Sequence, residues 1–445
     1  MHRVLRAGRI PRRSGDLEVL DHEVVVPLDH AQPSSATLRV FARELRSVEA
    51  RKALAVGEEQ PVLLYLQGGP GGAGIRPPLP DWVDRLLADY RVVMLDQRGT
   101  GRSTPVCART LAGMLDRRGP DATAEYLSHF RADAIVGDAE ALRSAMLGEA
   151  GWTTLGQSYG GFVTLTYLAT APESLVECYV TGGLPGLHAT AEDVYRLTLL
   201  QTVRVNDDYF HTHPEDRETL HRVRDHLAVT DERLRDGRRL STTTLQLIGG
   251  RLGTREGQIQ LHILLTDAFV PGSDGEPDRL SDAFLTGVTD LVSFASAPLY
   301  HLLHEPIYTQ HRASAWAAAR ERERIPALTP DADPMCLLGE AMLPELLAED
   351  PALQPFADVG RLLAERTDWP ELYDAERLAR NEVPVFAAIY AEDMFVPRQL
   401  SLQTAAEVPN VHAWLTDAYL HDGIRDGDGV LAQLRAMSAR RRTGD

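Results

Sequence analysis

The sequence predicts an α/β fold with a mostly parallel central sheet, split by one long helical insertion. Two observations carry that expectation. Short, continuously apolar runs alternate with amphipathic segments up to Gly183, the rhythm of strand–helix–strand units. The rhythm stops from about Leu184 to Asp374, where the chain is charged and helical in pattern, and it returns at Glu382. With 445 residues, 44% of them hydrophobic and 25% charged, the chain has ample apolar material for a packed core.

The elements follow in order. "EVLDHEVVVPLDH" (18–30) and "ATLRVFARELRS" (36–47) flank a Pro-Ser turn and read as a two-stranded antiparallel start. "PVLLYL" (61–66) and "RVVMLD" (91–96) are short apolar runs of the kind buried on both faces of a parallel sheet. Between them "DWVDRLLADY" has helical spacing, with Trp82, Leu86 and Leu87 on one face. "RADAIVGDAEALRSAM" (131–146) is helical, aligning Ile135, Ala139, Leu142 and Met146. "WTTLGQS" (152–158) runs from strand into turn, "YGGFVTLTYLATA" is a helix, and "SLVECYVTGG" (174–183) is the sixth strand. After the insertion come a strand in "EVPVFAAIYAEDMF" (382–395), a helix near 397–406, a strand in "NVHAWLTDAY" (410–419) and a terminal helix near 426–438. The tail "SARRRTGD" is expected to fray.

The balance of 46 basic against 64 acidic residues gives a net charge of −18, which argues against a nucleic-acid partner. Three cysteines, Cys107, Cys178 and Cys336, make no disulfide framework and favour a reducing compartment. "MHRVLRAGRIPRRSG" is basic but lacks the apolar run of a secretory signal, and no stretch is apolar enough to span a membrane. The expected location is the cytoplasm.

The chemistry centres on "GQSYG", Gly156 to Gly160, a G-x-S-x-G motif between a strand and a helix. In that context Ser158 stands on a tight, strained turn with its hydroxyl above the sheet. The N–H of Tyr159 opens the helix, where the dipole favours negative charge. A serine needs a base, and in this kind of fold the chain order is Ser, acid, His. Asp393 closes the strand in "YAEDMF", and His421 lies just past the next strand in "AYLHDG". Asp393 would orient His421, which would accept the Ser158 proton. His412 reads as a packing residue within a strand, and His211, His213, His221 and His226 as exposed helix residues. Asp417 and Asp422 are rival acids, but neither ends a strand. No metal is expected: H-T-H at 211–213 has no partner cluster in the sequence, and "DGIRDGDG" misses the spacing of a calcium loop.

"LLYLQGGPGGAG" (63–74) poses a separate choice. Gly69, Gly71 and Gly74 fit G-x-G-x-x-G, and Asp96 follows where a ribose-binding acid could stand. A dinucleotide loop, however, opens directly into a helix. Here Pro77, Pro78 and Pro80 hold Arg76, Pro77 and Leu79 out of helical geometry, so the first helix starts near Asp81. The alternative is an oxyanion loop, whose bare backbone N–H groups face a reacting carbonyl together with the N–H of Tyr159. No cofactor is expected.

"QGGPGG", "DQRGTGRS" (96–103), "GQSYGG" and the spaced Asp393 and His421 resemble the proline iminopeptidases, the prolyl aminopeptidase family of α/β hydrolases. "HEPIYTQ" (304–310), "WAAAR" (316–320) and "GEAMLP" (339–344) are similar to the longer subgroup of that family. The resemblance implies an α/β-hydrolase fold with a large, mainly helical cap inserted after the sixth strand. The hydrolase domain would span 1–183 and 381–445 and the cap 184–380. By position, the resemblance makes Gly68 the oxyanion donor. Gln67 stands where a histidine often precedes the glycines.

The implied reaction is release of N-terminal proline from a peptide substrate with a free N-terminus. A protonated imino group has two N–H donors, which two carboxylates would meet. Glu305 and Glu340 lie in otherwise apolar stretches of the insertion and are the expected amine-binding pair, with Glu392 a third candidate. Phe162 and Trp316 are candidates for a proline ring pocket. The alternatives are an esterase or amidase acting on a neutral small molecule, and a silent hydrolase fold used for binding.

Overall fold

A computed structural model describes residues 2–11, 15–55, 57–273 and 276–443. Among the described residues seven strands precede the insertion: β1 (His2–Ile10), β2 (Leu17–Pro27), β3 (Thr37–Ser47), β4 (Val62–Leu66), β5 (Arg91–Asp96), β6 (Trp152–Gln157) and β7 (Leu175–Thr181). Inside the insertion β8 (Phe269–Val270) and β9 (Arg279–Leu280) form a short antiparallel ladder. β10 (Val385–Tyr390) and β11 (Val411–Thr416) follow it.

Nine strands of the described residues make one sheet, in the order β1-β2-β3-β5-β4-β6-β7-β10-β11. β1, β2, β3 and β5 pair antiparallel, and from β5 to β11 every pairing is parallel. β4, β6 and β10 are buried at every position, as both-face burial by flanking helices requires, while the edge strand β11 is largely open. The strand order reverses at β4, whose neighbours β5 and β6 lead away in opposite directions, so a crevice opens at the carboxyl ends of β4 and β6.

The insertion leaves from β7, the sixth strand legible in the sequence, because the N-terminal β1 adds one strand ahead of it. Its first part builds a core of its own from side chains such as Phe210, Leu220, Leu245, Leu261 and Phe284, and Met394 and Phe395 from beyond β10 join that core. Its later part packs differently. Leu299, Leu303, Ile307, Trp369 and Tyr373 share one apolar cluster with Val163 and Leu165 of the helix behind Ser158. The terminal helix (Gly429–Thr443) runs past the expected end, held by Arg442, whose guanidinium bonds the Ser438 hydroxyl and pairs with Glu177. The final two residues of the tail lie outside the described residues. No helix among the described residues is long and apolar enough to cross a membrane.

Arg131 ties the insertion to the sheet layer. It is fully buried at the start of the helix Ala132–Leu147 and donates to the carbonyls of Pro306 (2.9 Å), Thr309 (2.5 Å) and Pro370 (2.8 Å). Its guanidinium also lies 4.6 Å from the Trp369 ring centroid. Arg131→Met leaves three carbonyls without their charged donor and is expected to lower stability by at least about 3 kcal/mol. A denaturant midpoint indistinguishable from wild type would remove this role.

Candidate active site

Ser158 sits between β6 and the helix Tyr159–Thr170 with φ 56° and ψ −125°, a conformation that side-chain-bearing residues rarely adopt. Small neighbours make the turn possible. A Cβ on Gly160 would stand 1.9 Å from the Leu66 carbonyl oxygen, and one on Gly161 would stand 2.2 Å from that of Gly183. The Ser158 N–H donates to the Thr181 carbonyl (3.0 Å), fixing the turn to the end of β7. Tyr159 is the first residue of the helix, so its N–H belongs to the first turn, which has no intrahelical acceptor.

Asp393 lies just past β10 and His421 in the loop after β11. Asp393 Oδ1 accepts the N–H groups of Phe395 (2.8 Å) and Val396 (3.1 Å), and its Oδ2 meets His421 Nδ1 at 2.8 Å. Both side chains are buried. Burial works to lower the His421 pKa, but the Asp393 charge and hydrogen bond outweigh it and hold the imidazole above its ordinary 6.5. The edge of the imidazole meets the Phe395 ring at 5.0 Å and 87°, and the His421 N–H donates to the carbonyl of Gly253 in the insertion (3.1 Å).

Two glycines join this pair to the nucleophile turn. A Cβ on Gly182 would meet the His421 carbonyl oxygen at 3.2 Å, and one on Gly183 would meet that of Ser158 at 2.3 Å. Ser158, Asp393 and His421 thus gather at one rim of the sheet. Of the rival acids, Asp417 is exposed, and Asp422 has its carboxyl raised by burial. His412 stacks on Phe386, with ring centroids 5.2 Å apart.

The glycine-rich loop closes the crevice from the β4 side. A Cβ on Gly68 would lie 2.8 Å from Gln157 Oε1 and 3.1 Å from the Ser158 Cβ, so a side chain there would crowd the serine and its neighbour. Asp96 is consumed by this architecture. Its carboxylate accepts the N–H groups of Gly74 (2.9 Å) and Arg102 (2.7 Å) and pairs with Arg76 (2.7 Å). The helix after the loop begins at Asp81, too far along to face a phosphate bound at the glycines. A nucleotide site is therefore not built here. Arg98, next in the same motif, is buried in a bidentate pair with Asp138.

Of the two insertion glutamates, Glu340 lies within the field of His421 and Asp393. Glu340 accepts from the Tyr300 hydroxyl and lies 3.6 Å from His304 Nε2. Burial pushes its carboxyl above the ordinary range, against the opposing pull of nearby His421. His304 is pushed down to about 3 by burial and so faces Glu340 as a neutral ring. Glu305 is 3% exposed; Oε1 accepts the Ala318 N–H (2.9 Å), while Oε2 is buried without a hydrogen-bond partner. Its carboxyl too is raised by burial. The fields of both glutamates reach Tyr195 and Tyr308. Among the described residues neither glutamate has an Arg or Lys in ion-pair range. Glu392 does not join them: it is paired at the surface with Arg398 and accepts from Gln201.

Phe162 meets Tyr308 edge-on at 5.7 Å and lines an apolar pocket with Leu184, Tyr308, Tyr373 and Val396. Trp316 lies outside that lining, packed 6.2 Å from the His301 ring. Tyr300, His304 and Tyr308 form a row of tilted and edge-on rings with centroids 5.0 and 6.0 Å apart, which the sequence analysis does not anticipate. Its signal is the four-residue spacing within "YHLLHEPIY".

The insertion histidines differ from expectation. His211 is exposed, but His221 accepts the Met335 N–H (3.2 Å) and His226 lies 2.7 Å from Glu232. His213 does have a partner cluster: with Asp216 and His262 it brings three ligand-type atoms within 4.8 Å of one another.

Residues 61–236 match the family model described as alpha/beta hydrolase fold. The chain is 42% identical over 417 residues to a proline iminopeptidase of Aeromonas sobria, covering 93% of this chain and 95% of that relative. It is 35% identical to a proline iminopeptidase of Aspergillus aculeatus, covering 90% of this chain and 88% of that one. A tripeptidyl aminopeptidase of Streptomyces lividans is 28% identical over 34% of this chain and 32% of its own length.

Proposed function

The chain belongs to the proline iminopeptidase family of α/β hydrolases, and from that premise we propose that it is a serine exopeptidase releasing N-terminal proline from peptides. Ser158 Oγ attacks the first carbonyl carbon as His421 takes its proton, and Asp393 keeps the imidazole in the tautomer that can accept it. The backbone N–H groups of Gly68 and Tyr159 receive the oxyanion; removing one such donor costs roughly 3–4 kcal/mol of transition-state stabilisation. His421 then passes the proton to the departing peptide amine. Water, deprotonated by the same imidazole, hydrolyses the prolyl ester and frees Ser158.

One observation carries the specificity: two insertion carboxylates, Glu305, which only the charge of Arg320 reaches, and Glu340, within the field of His421, neither in an ion pair with an Arg or Lys among the described residues. Burying carboxylates without a counter-charge is costly, and the protonated imino group of a substrate removes the cost on binding.

The test compares prolyl-naphthylamide with its N-acetyl derivative and with p-nitrophenyl acetate. Glu340→Gln is expected to lower kcat/KM for the free prolyl substrate by about 30-fold or more, the lower range for removing one partner of a buried charge pair. Hydrolysis of the neutral ester should fall only a few-fold, and the acetylated substrate should be a poor one for wild type. Equal rates on free and acetylated substrates would leave an esterase or amidase instead.

A further inference from the structure

We propose that His213, Asp216 and His262 form a zinc site in the insertion, distinct from the hydrolytic centre. His213 and Asp216 are three residues apart, and His262 comes from a separate helix. His213 is the hinge between the helices Ala191–Thr212 and Pro214–Val229, Asp216 lies in the first turn of the second, and His262 lies on the helix Arg255–Thr266.

Their chemistry suits zinc. Two imidazoles and one carboxylate form a borderline donor set, whereas calcium and magnesium take oxygen ligands. His262 Nδ1 stands 3.0 and 3.1 Å from the two Asp216 oxygens. That is close to the edge of a tetrahedral site, roughly 3.3 Å for bonds of 2.0–2.1 Å. The His213 and His262 rings face each other with centroids 4.4 Å apart, and modest rotation of the two rings closes the triangle.

Asp216 is 1% exposed, and among the described residues no Arg or Lys pairs with it. A buried carboxylate in that position calls for a positive partner. The Tyr209 hydroxyl donates to Asp216 Oδ2 (2.5 Å), the kind of outer contact that orients a metal ligand. His213 and His262 keep 31% and 36% of their side-chain surface open, and His213 also lines a pocket of about 290 Å³ with Tyr209, Arg255 and Glu392. An ion therefore has a path in, with its remaining coordination left to solvent.

The site would fasten three helices at one point. The helix bearing His262 starts at Arg255, two residues after the Gly253 carbonyl that receives the His421 N–H. Zinc would thus brace the part of the insertion that holds the histidine loop.

The full chain, treated with chelator and dialysed, is titrated with cobalt(II) as a spectroscopic stand-in and with zinc. Cobalt is expected to give one equivalent of visible d–d absorption. Saturating zinc should raise Tm by about 2–5 °C, the range for a native-state ligand well above its Kd. Both responses should vanish in His262→Gln and in His213→Gln, the second being half-exposed and tolerant of change, and should persist in His421→Ala. Responses that survive in both glutamine variants, or disappear with His421→Ala, would overturn the proposal. So would no response in wild type.

Discussion

Replacing Ser158 by alanine lowers kcat for prolyl-naphthylamide by roughly 10⁵–10⁶-fold, the loss expected when the nucleophile is taken from a group that acts as a unit. The turn itself should survive. Its geometry is imposed by the Ser158 N–H bond to Thr181 and by the close approach of Gly160 and Gly161 to neighbouring carbonyls, none of which uses the hydroxyl. Stability should therefore move by less than about 1 kcal/mol. Wild-type protein should also be labelled by a fluorophosphonate and the variant should not. A pure, folded Ser158→Ala protein that keeps more than about 1% of the wild-type rate would exclude Ser158 as nucleophile.

Asp393→Asn should cost roughly 10⁴-fold in kcat with the fold preserved. An amide oxygen can still accept the Phe395 and Val396 N–H groups that Oδ1 accepts now. What changes is the face toward His421 Nδ1, where an NH₂ group would replace an acceptor and favour the wrong tautomer. The pH profile separates this from simple damage. The imidazole must be neutral to accept a proton, and Asp393 raises its pKa above 6.5 against the opposing effect of burial. Wild-type kcat/KM should therefore fall as pH drops through a value above 6.5, and protonation of Glu340, whose carboxyl is raised by burial, acts in the same direction. Losing the Asp393 charge should move the acidic limb downward. The linked stability has the opposite sense: the contribution of the His421–Asp393 ion pair is complete below the unfolded histidine pKa and is lost as pH rises through the folded one. An unmoved acidic limb in Asp393→Asn would mean that another group sets it.

Much of the sheet was legible because its central strands are buried on both faces and read as unbroken apolar runs bounded by turn residues. β1 was not. It is an edge strand whose register slips between Val4 and Arg6, and Val4 and Leu5 are both exposed, so no burial period marks it. The helix Ala108–Ser128 is likewise obscured, because Gly119 (φ 77°) and Pro120 break its pattern at a kink. Ser158, Asp393 and His421 stand out in the sequence because each follows a strand whose end is marked. The insertion gives no such marks. There Glu305 and Glu340 could be suspected only from their apolar surroundings, and the pairing of Tyr300 with Glu340 depends on chain segments that no local pattern relates. His213 and His262 were beyond reach for the same reason, being brought together only when two helices pack.

The order of the strands has a consequence for the protein during its own synthesis. The serine turn and the glycine-rich loop emerge from the ribosome early, while the aspartate and the histidine follow only after the whole insertion has been translated. A nascent chain thus carries the nucleophile long before it carries the base, and under the proposed mechanism it stays inert toward the free N-termini around it until its last strands dock.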